Sequence, residues 1–227
     1  ENLYRIYFPN LFIEKQYKSK QKKYGEFYTP RSIIQLMINR TSQYIDFHQK
    51  DVCDFASGNA AILYEVLLNF NSVNKVFAND IQNFSSFLSF INLHLIKKIN
   101  NLNVNIEVEN FDSIIQKDNY KQKFDIILSN PPYIGQKNNQ ELFEKIKSHP
   151  FWRNYYSRKT DYLYYFIILG LELLNDNGIE CLITTQYWLT ATNANILRNY
   201  ILCNTEILEI HDFGKTRIFP DASGQEN

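Results

Sequence analysis

From residue 51 onward, short apolar runs alternate with longer amphipathic stretches. The short runs read as strands at 51–55, 75–80, 104–109, 124–129, 179–185 and 205–213. The longer stretches read as helices at 60–70, 83–98, 161–175 and 192–202. An earlier helix opens at Pro30 with Thr29 in the N-cap position, and places Ile33, Ile34, Met37 and Ile38 at helical spacing. Strand, helix, strand, repeated, predicts right-handed crossovers and an α/β fold: a mostly parallel twisted sheet with helices on both faces. The run Asp125-Ile126-Ile127-Leu128 reads as a central strand buried on both sides. Asn177-Gly178 predicts a stop between helix and strand. Residues 134–160, polar and basic with scattered aromatics, read as an insertion outside the core.

Composition narrows the class. A chain of 227 residues suits one domain with additions, and 44% hydrophobic and 15% aromatic content excludes global disorder. The 24 basic and 24 acidic side chains cancel, which argues against a uniformly basic nucleic-acid coat protein. The zero hides patches, however: residues 1–50 carry +5, 51–130 carry −3, 131–170 carry +3 and 171–227 carry −5. Cys53, Cys181 and Cys203 have apolar neighbours and no metal-ligand spacing, so they read as small core residues in a reducing, cytoplasmic setting. The most apolar stretch, Tyr162 to Leu171, falls short of the roughly 20 residues of a membrane span. No signal-peptide pattern opens the chain, and its one methionine is Met37, which suggests an excerpt of a longer protein or a processed start.

In open α/β sheets ligands bind beyond the carboxyl ends of the strands, where strand order reverses. The first predicted strand ends in Asp54-Phe55-Ala56-Ser57-Gly58-Asn59-Ala60, small residues that let backbone approach a ligand, with a carboxylate to accept from it. The second ends in Asn79-Asp80-Ile81, which places a carboxylate for two ribose hydroxyls. The third ends in Asn110-Phe111-Asp112-Ser113, where Asp112 suits an adenine amino group. A strand-terminal Asp is by itself a common cap or turn residue; three in successive units point to a nucleoside site. No glycine-rich phosphate loop accompanies them. A nucleoside without a bound pyrophosphate points away from NAD or ATP and toward S-adenosylmethionine. No metal-ligand cluster is expected.

The fourth strand ends in Ser129-Asn130-Pro131-Pro132-Tyr133, the sharpest signal in the chain. Two prolines stop sheet pairing and leave the Pro131 carbonyl outside the ladder. The Asn130 side-chain oxygen is a second acceptor, and Tyr133 offers a flat stacking surface. Two converging acceptors hold an amino group at fixed orientation, beside a stacked heteroaromatic ring.

These residues resemble the N6-adenine DNA methyltransferases of the gamma-type motif order, as found in bacterial restriction–modification proteins with fused methylase and recognition modules. Lys23-Tyr24-Gly25-Glu26-Phe27-Tyr28-Thr29-Pro30 is similar to that family's upstream cofactor motif, and residues 54–63 resemble its D-P-x-x-G-x-G-x-F-L loop. Asn130-Pro131-Pro132-Tyr133 is its catalytic tetrad unchanged. Asp161-Tyr162-Leu163-Tyr164-Tyr165-Phe166 is similar to its D-L-Y-x-x-F helix, and Phe213-Gly214 through Ile218-Phe219-Pro220 resembles a late motif. The resemblance implies a Rossmann-like S-adenosylmethionine-dependent methyltransferase fold. It assigns catalysis to Asn130, Pro131, Pro132 and Tyr133. It assigns the cofactor to Tyr28, Thr29, Asp54, Ala56, Gly58, Asp80, Ile81, Asp112, Ser113 and Phe166, the last packed on the cofactor adenine. Phe219 would touch a flipped-out base.

Residues 1–30 then read as a basic and aromatic arm carrying the upstream motif, and 31–227 as the methyltransferase domain. The recognition domain and the closing antiparallel strand of the sheet are expected outside the chain. Double-stranded DNA is the implied partner, with the lysines of residues 15–23 and Lys137, Lys145, Lys147, Arg153, Arg158 and Lys159 as phosphate contacts. Phe55 and Ala60 depart from the loop's usual Pro and Gly. Alanine takes φ > 0 at a cost, which predicts a distorted loop and weaker cofactor binding. Three competing readings share parts of this pattern: a glutamine side-chain amide methyltransferase acting on release factors, cytosine N4 methylation, and a non-enzymatic assembly module. No E-x-K occurs to complete a metal-dependent nuclease.

Overall fold

The structure, a computed structural model, describes residues 29–214 together with 216 and 218. Residues 1–28 of the arm expected at 1–30, Tyr28 among them, and Phe219 lie outside the described residues. Five strands form one sheet: β1 (Asp51–Asp54), β2 (Lys75–Asn79), β3 (Asn105–Glu109), β4 (Phe124–Ser129) and β5 (Leu174–Leu182). Their order is β3-β2-β1-β4-β5 and every pairing is parallel. The chain lays down β1, β2 and β3 outward in one direction, then returns to place β4 on the other flank of β1. That reversal opens a crevice beyond the carboxyl ends of β1 and β4.

Successive side chains on a strand face opposite ways, and both faces are apolar here. Val52, Val76, Ala78, Ile126 and Leu128 turn to one layer and Cys53, Phe77 and Ile127 to the other, where Phe124 joins them because the alternation breaks between Phe124 and Ile126. The first layer is α1 (Arg31–Thr41), α2 (Ala61–Asn69) and α3 (Asn83–Ile99), which contribute Ile34, Met37, Ile38, Leu63, Val66, Leu67, Leu93 and Ile96. The second is α4 (Gln140–Ser148), α5 (Leu163–Leu173) and α6 (Asn195–Asn204). Helix α5 is buried all round from Leu163 to Gly170, as the apolar run that ends before Glu172 requires. No described helix is long and apolar enough to cross a membrane.

Four expectations change in the structure. The start of β5 lies at Leu174 rather than Ile179, because Asn177-Gly178 forms a bulge inside the strand rather than a break before it. The register moves from Phe124↔Leu174 to Ile126↔Ile179, and Asn177 takes φ +61°. A Cβ on Gly178 would lie 2.9 Å from the carbonyl oxygens of Asp125 and Asn175, so only glycine fits that approach. Residues 205–213 form no strand: the segment mixes polar Glu206, Glu209 and His211 with exposed Ile207, Leu208 and Ile210, and pairs with no strand among the described residues. It is held instead by Glu209, which accepts from both Arg40 nitrogens Nε and Nη2.

Thr29 does not cap α1; Pro30 occupies the cap position and no side chain bonds the first turn. Lastly, residues 134–160 belong to the core. Phe143, Ile146 and Trp152 are fully buried, and the Trp152 indole donates to the Ile114 carbonyl over 2.6 Å. Polar neighbours on the exposed side of a short helix mask that apolar face in the sequence. Trp152→Ala is expected to cost about 3–5 kcal/mol in a urea unfolding curve, as a core tryptophan does. A cost within about 0.5 kcal/mol, the range of a surface substitution, would return the segment to the periphery.

Candidate active site

The crevice is built from four turns, one after each of β1 to β4. In the first, Asp54 is buried at the end of β1 and its Oδ1 accepts from the Ser129 hydroxyl at 2.6 Å and the Ala56 amide at 3.1 Å. Burial pushes its carboxyl up to about 7 against the pull of those two hydrogen bonds, with neighbouring Asp80 adding to the rise. The loop then turns through two left-handed residues, Gly58 at φ +56° and Ala60 at φ +60°. Ala60 therefore takes the conformation expected of glycine, and the fully buried methyl leaves the turn into α2 intact.

The rest of the loop is strapped from two sides. Asp80 Oδ2 accepts from the Gly58 amide at 2.9 Å, and the Asn79 carbonyl accepts from the Ser57 amide at 2.9 Å. From α3, Ser89 donates to the Gly58 carbonyl and Asn92 to the Asn59 carbonyl, each over 2.9 Å. Asp80 Oδ1 accepts from the Gln82 amide at 2.8 Å, so each carboxylate oxygen keeps a lone pair for a ligand. Burial raises the Asp80 carboxyl above its ordinary value despite both amides. Beside it, the Ile81 side chain is 59% exposed.

After β3, Asp112 Oδ1 accepts from the amides of Ile114 and Ile115 and from the Tyr162 hydroxyl, all at 3.0 Å. The Ser113 hydroxyl turns inward, donating to the Phe55 carbonyl over 2.6 Å and accepting from Asn79 and Tyr120. Phe166 is buried with its ring 5.2 Å from that of Phe55 and 5.3 Å from that of Tyr162. The fourth turn holds Asn130. Its Nδ2 donates to Thr29 Oγ1 over 3.1 Å, and the Tyr133 hydroxyl lies 2.7 Å from its Oδ1 and 3.0 Å from the Ile183 carbonyl. Burial raises the Tyr133 phenol far above its ordinary value, so the hydroxyl keeps its proton. Pro131 is buried, and no donor among the described residues reaches its carbonyl.

Sequence reasoning missed three residues that organise these turns. The fully buried Asn79 amide donates to the Phe111 carbonyl and to Ser113, and accepts from the Phe111 amide, joining the β2 and β3 turns. Ser129 joins β4 to Asp54. Asp161 Oδ1 accepts from the amides of Ile134 and Leu163, tying the segment after Tyr133 to the start of α5. Polar residues at strand ends were the available signal, since a polar side chain in so apolar a setting requires a partner.

The donor set suits a nucleoside. Carboxylates stand at the ends of successive strands, small residues line the first loop, and no lysine or arginine falls in residues 54–60, 79–82, 110–113 or 130–133. No group of metal-ligating side chains assembles among the described residues. Of the basic residues singled out for DNA phosphate, Lys145 pairs with Glu141 and Lys147 with Glu144 on the same helix, whereas Arg153, Arg158 and Lys159 are exposed.

The buried Asp54 has a pH signature. Its raised folded-state value means that the folded protein holds a proton which the unfolded chain releases near 3.8. Its contribution to stability is therefore present at low pH and lost as pH rises through about 7. Urea unfolding between about pH 4 and 8 is expected to show the wild type losing stability relative to Asp54→Asn with rising pH. Parallel curves would contradict the assignment.

Comparison with known proteins agrees with this geometry. Residues 68–219 match the Eco57I restriction-modification methylase family. The type II methyltransferase M.HincII of Haemophilus influenzae is 28% identical over 207 residues, covering 91% of this chain and 36% of that protein. A release factor glutamine methyltransferase of Clostridium acetobutylicum is 29% identical over 121 residues, covering 53% of this chain and 41% of that protein. The chain thus spans only about a third of the length of the restriction–modification relative it matches. Among solved structures, the methyltransferase subunit of a type I restriction-modification system from Streptococcus thermophilus superposes with a TM-score of 0.61. It is 21% identical, over 79% of this chain and 39% of that one. With a parallel sheet that reverses at β1 and β4 and the Asn-Pro-Pro-Tyr turn at that seam, the chain has the Rossmann-like fold of S-adenosylmethionine-dependent methyltransferases and belongs to the Eco57I restriction-modification methylase family.

Proposed function

We propose that this chain is the catalytic module of a site-specific DNA methyltransferase that moves a methyl group from S-adenosylmethionine to N6 of an adenine flipped out of the duplex. The observation that carries the reading is the Asn130–Tyr133 turn, which stands beside the nucleoside-suited crevice with two oxygen acceptors and an aromatic ring. S-adenosylmethionine supplies an electrophilic methyl on a sulfonium. Asp80 accepts the ribose hydroxyls, Asp112 the adenine amino group, and Ile81 and Phe166 line the adenine. Tyr28, Ala56, Gly58 and Ser113 complete the cofactor set that the sequence resemblance assigns; Thr29, which the resemblance also places there, turns its hydroxyl to Asn130 instead.

The adenine amino lone pair is delocalised into its ring and is a poor nucleophile. Hydrogen bonds from that amino group to Asn130 Oδ1 and the Pro131 carbonyl localise the pair and aim it at the methyl, an effect of position and electrostatics. Tyr133 stacks on the base and returns part of the few kcal/mol that unstacking costs. The sequence resemblance assigns Phe219 to the same base. DNA phosphates meet Arg153, Arg158 and Lys159, and residues outside this chain choose the sequence. In domain terms, residues 31–227 form the catalytic unit and 1–30 its arm.

The same two acceptors suit a glutamine amide, the reading that the release factor enzyme supports over about half of the chain. The family match across residues 68–219 and the M.HincII likeness across 91% of the chain favour DNA. In the complete protein, Asn130→Ala is expected to slow methyl transfer by about 10²–10³-fold, the loss typical of removing one oriented polar group. Calorimetric S-adenosylmethionine affinity is expected to be retained. Full activity in this variant would refute the assignment. Nucleoside analysis of the product separates N6-methyladenine from N4-methylcytosine and from methylated release factor.

A further inference from the structure

We infer that Thr29 is a positioning residue for Asn130, holding the plane of its carboxamide so that Oδ1 meets the substrate at one angle. The inference rests on the proposed role of Asn130 and gives Thr29 a task other than the cofactor contact assigned by resemblance. An asparagine carboxamide turns about its last side-chain bond over a broad range, so its orientation is set by what its two ends touch. Here Nδ2 donates to Thr29 Oγ1 over 3.1 Å, across 101 positions of sequence.

The other end is a looser anchor. The Tyr133 hydroxyl has one proton and two acceptors in reach, Asn130 Oδ1 at 2.7 Å and the Ile183 carbonyl at 3.0 Å. A carbonyl only accepts, so the more the proton serves Ile183, the less it directs Asn130. When a substrate amino group donates to Oδ1, it competes for that same side of the amide. Thr29 acts on the opposite end, away from this competition.

Thr29 is also well placed to stay fixed. Pro30 restricts the backbone of the residue before it. Pro30 itself sits at φ −58° and ψ 141°, and its carbonyl accepts from the Ile33 and Ile34 amides at 2.9 and 3.1 Å. Helix α1 follows at once and buries Ile34, Met37 and Ile38. Because no side chain caps that helix, the Thr29 hydroxyl is spent on Asn130. The motif at the entry to α1 and the turn after β4 thereby become one mechanical unit.

The test compares Thr29→Val, which keeps the shape and removes the hydroxyl, with Thr29→Ser, which keeps the hydroxyl, in the complete protein that carries this chain. Expected for Thr29→Val is a kcat lower by about tenfold, the rate equivalent of one net hydrogen bond, with S-adenosylmethionine affinity by calorimetry within about twofold of wild type. Thr29→Ser is expected to restore kcat. An unchanged kcat in Thr29→Val would overturn the inference. So would a fall in kcat matched by a fall in cofactor affinity, which would make Thr29 a cofactor contact, or a Thr29→Ser variant as slow as Thr29→Val. If the valine variant does not fold, Thr29→Ala is read by the same criteria. A wild-type protein that methylates cytosine N4 or a glutamine amide would overturn the adenine reading alone; the contrast between valine and serine on that acceptor still decides Thr29.

Discussion

The Ser129 hydroxyl donates to the Asp54 carboxyl 2.6 Å away, at the seam where β1 and β4 lie side by side and the sheet reverses. Both groups are buried, so neither has water as an alternative partner. The bond joins the last residue of β1, which begins the small-residue loop, to the residue before Asn130. The placement of two turns that are 75 positions apart in sequence is thereby set by one short contact. Parallel pairing alone leaves the strand ends free to follow their own loops; a buried polar pair at the ends removes that freedom.

From that seam the order spreads by similar means. Asp80 grips Gly58, Asn79 holds Ser57 and Phe111, and Ser113 reaches back to Phe55. Three of these contacts match a polar side chain at one strand end to a backbone group of another turn, and the Asn79–Ser57 bond runs from backbone to backbone. The apolar layers on the two faces of the sheet then fix the strands so that these matches persist. A site made this way is stiff before a ligand arrives, which is what transfer between two positioned groups demands. Ala60 illustrates the strength of the arrangement, since it accepts a left-handed backbone at a cost of about 1–2 kcal/mol that the strapped loop and buried methyl absorb.

Much of this was legible in the sequence because the signals are local. Apolar runs of strand length set β1 to β4 to within a residue or two, and Asn130-Pro131-Pro132-Tyr133 announced the turn by composition alone. What escaped depends on distant partners. Residues 205–213 have strand-like composition, but a strand exists only when another lies beside it. The bulge at Asn177-Gly178 is produced by the fit of β5 onto β4, and read locally it looks like a turn. Phe143, Ile146 and Trp152 sit among charged neighbours, so their burial shows only once the helices of the second layer are in place. Thr29 has the residue type of a helix cap, and its hydroxyl is drawn away by an asparagine that folding brings beside it.

In the proposed function the reversal at β1 and β4 holds a nucleoside on Asp80, with the reacting carbon facing Asn130. A crystal structure of the complete protein with S-adenosylhomocysteine tests it most directly. Ribose hydroxyls are expected within hydrogen-bond distance of the Asp80 carboxylate, the adenine beside Ile81, and the sulfur directed at the Asn130–Tyr133 turn. A nucleoside bound elsewhere, or one whose sulfur points away from Asn130, would contradict it.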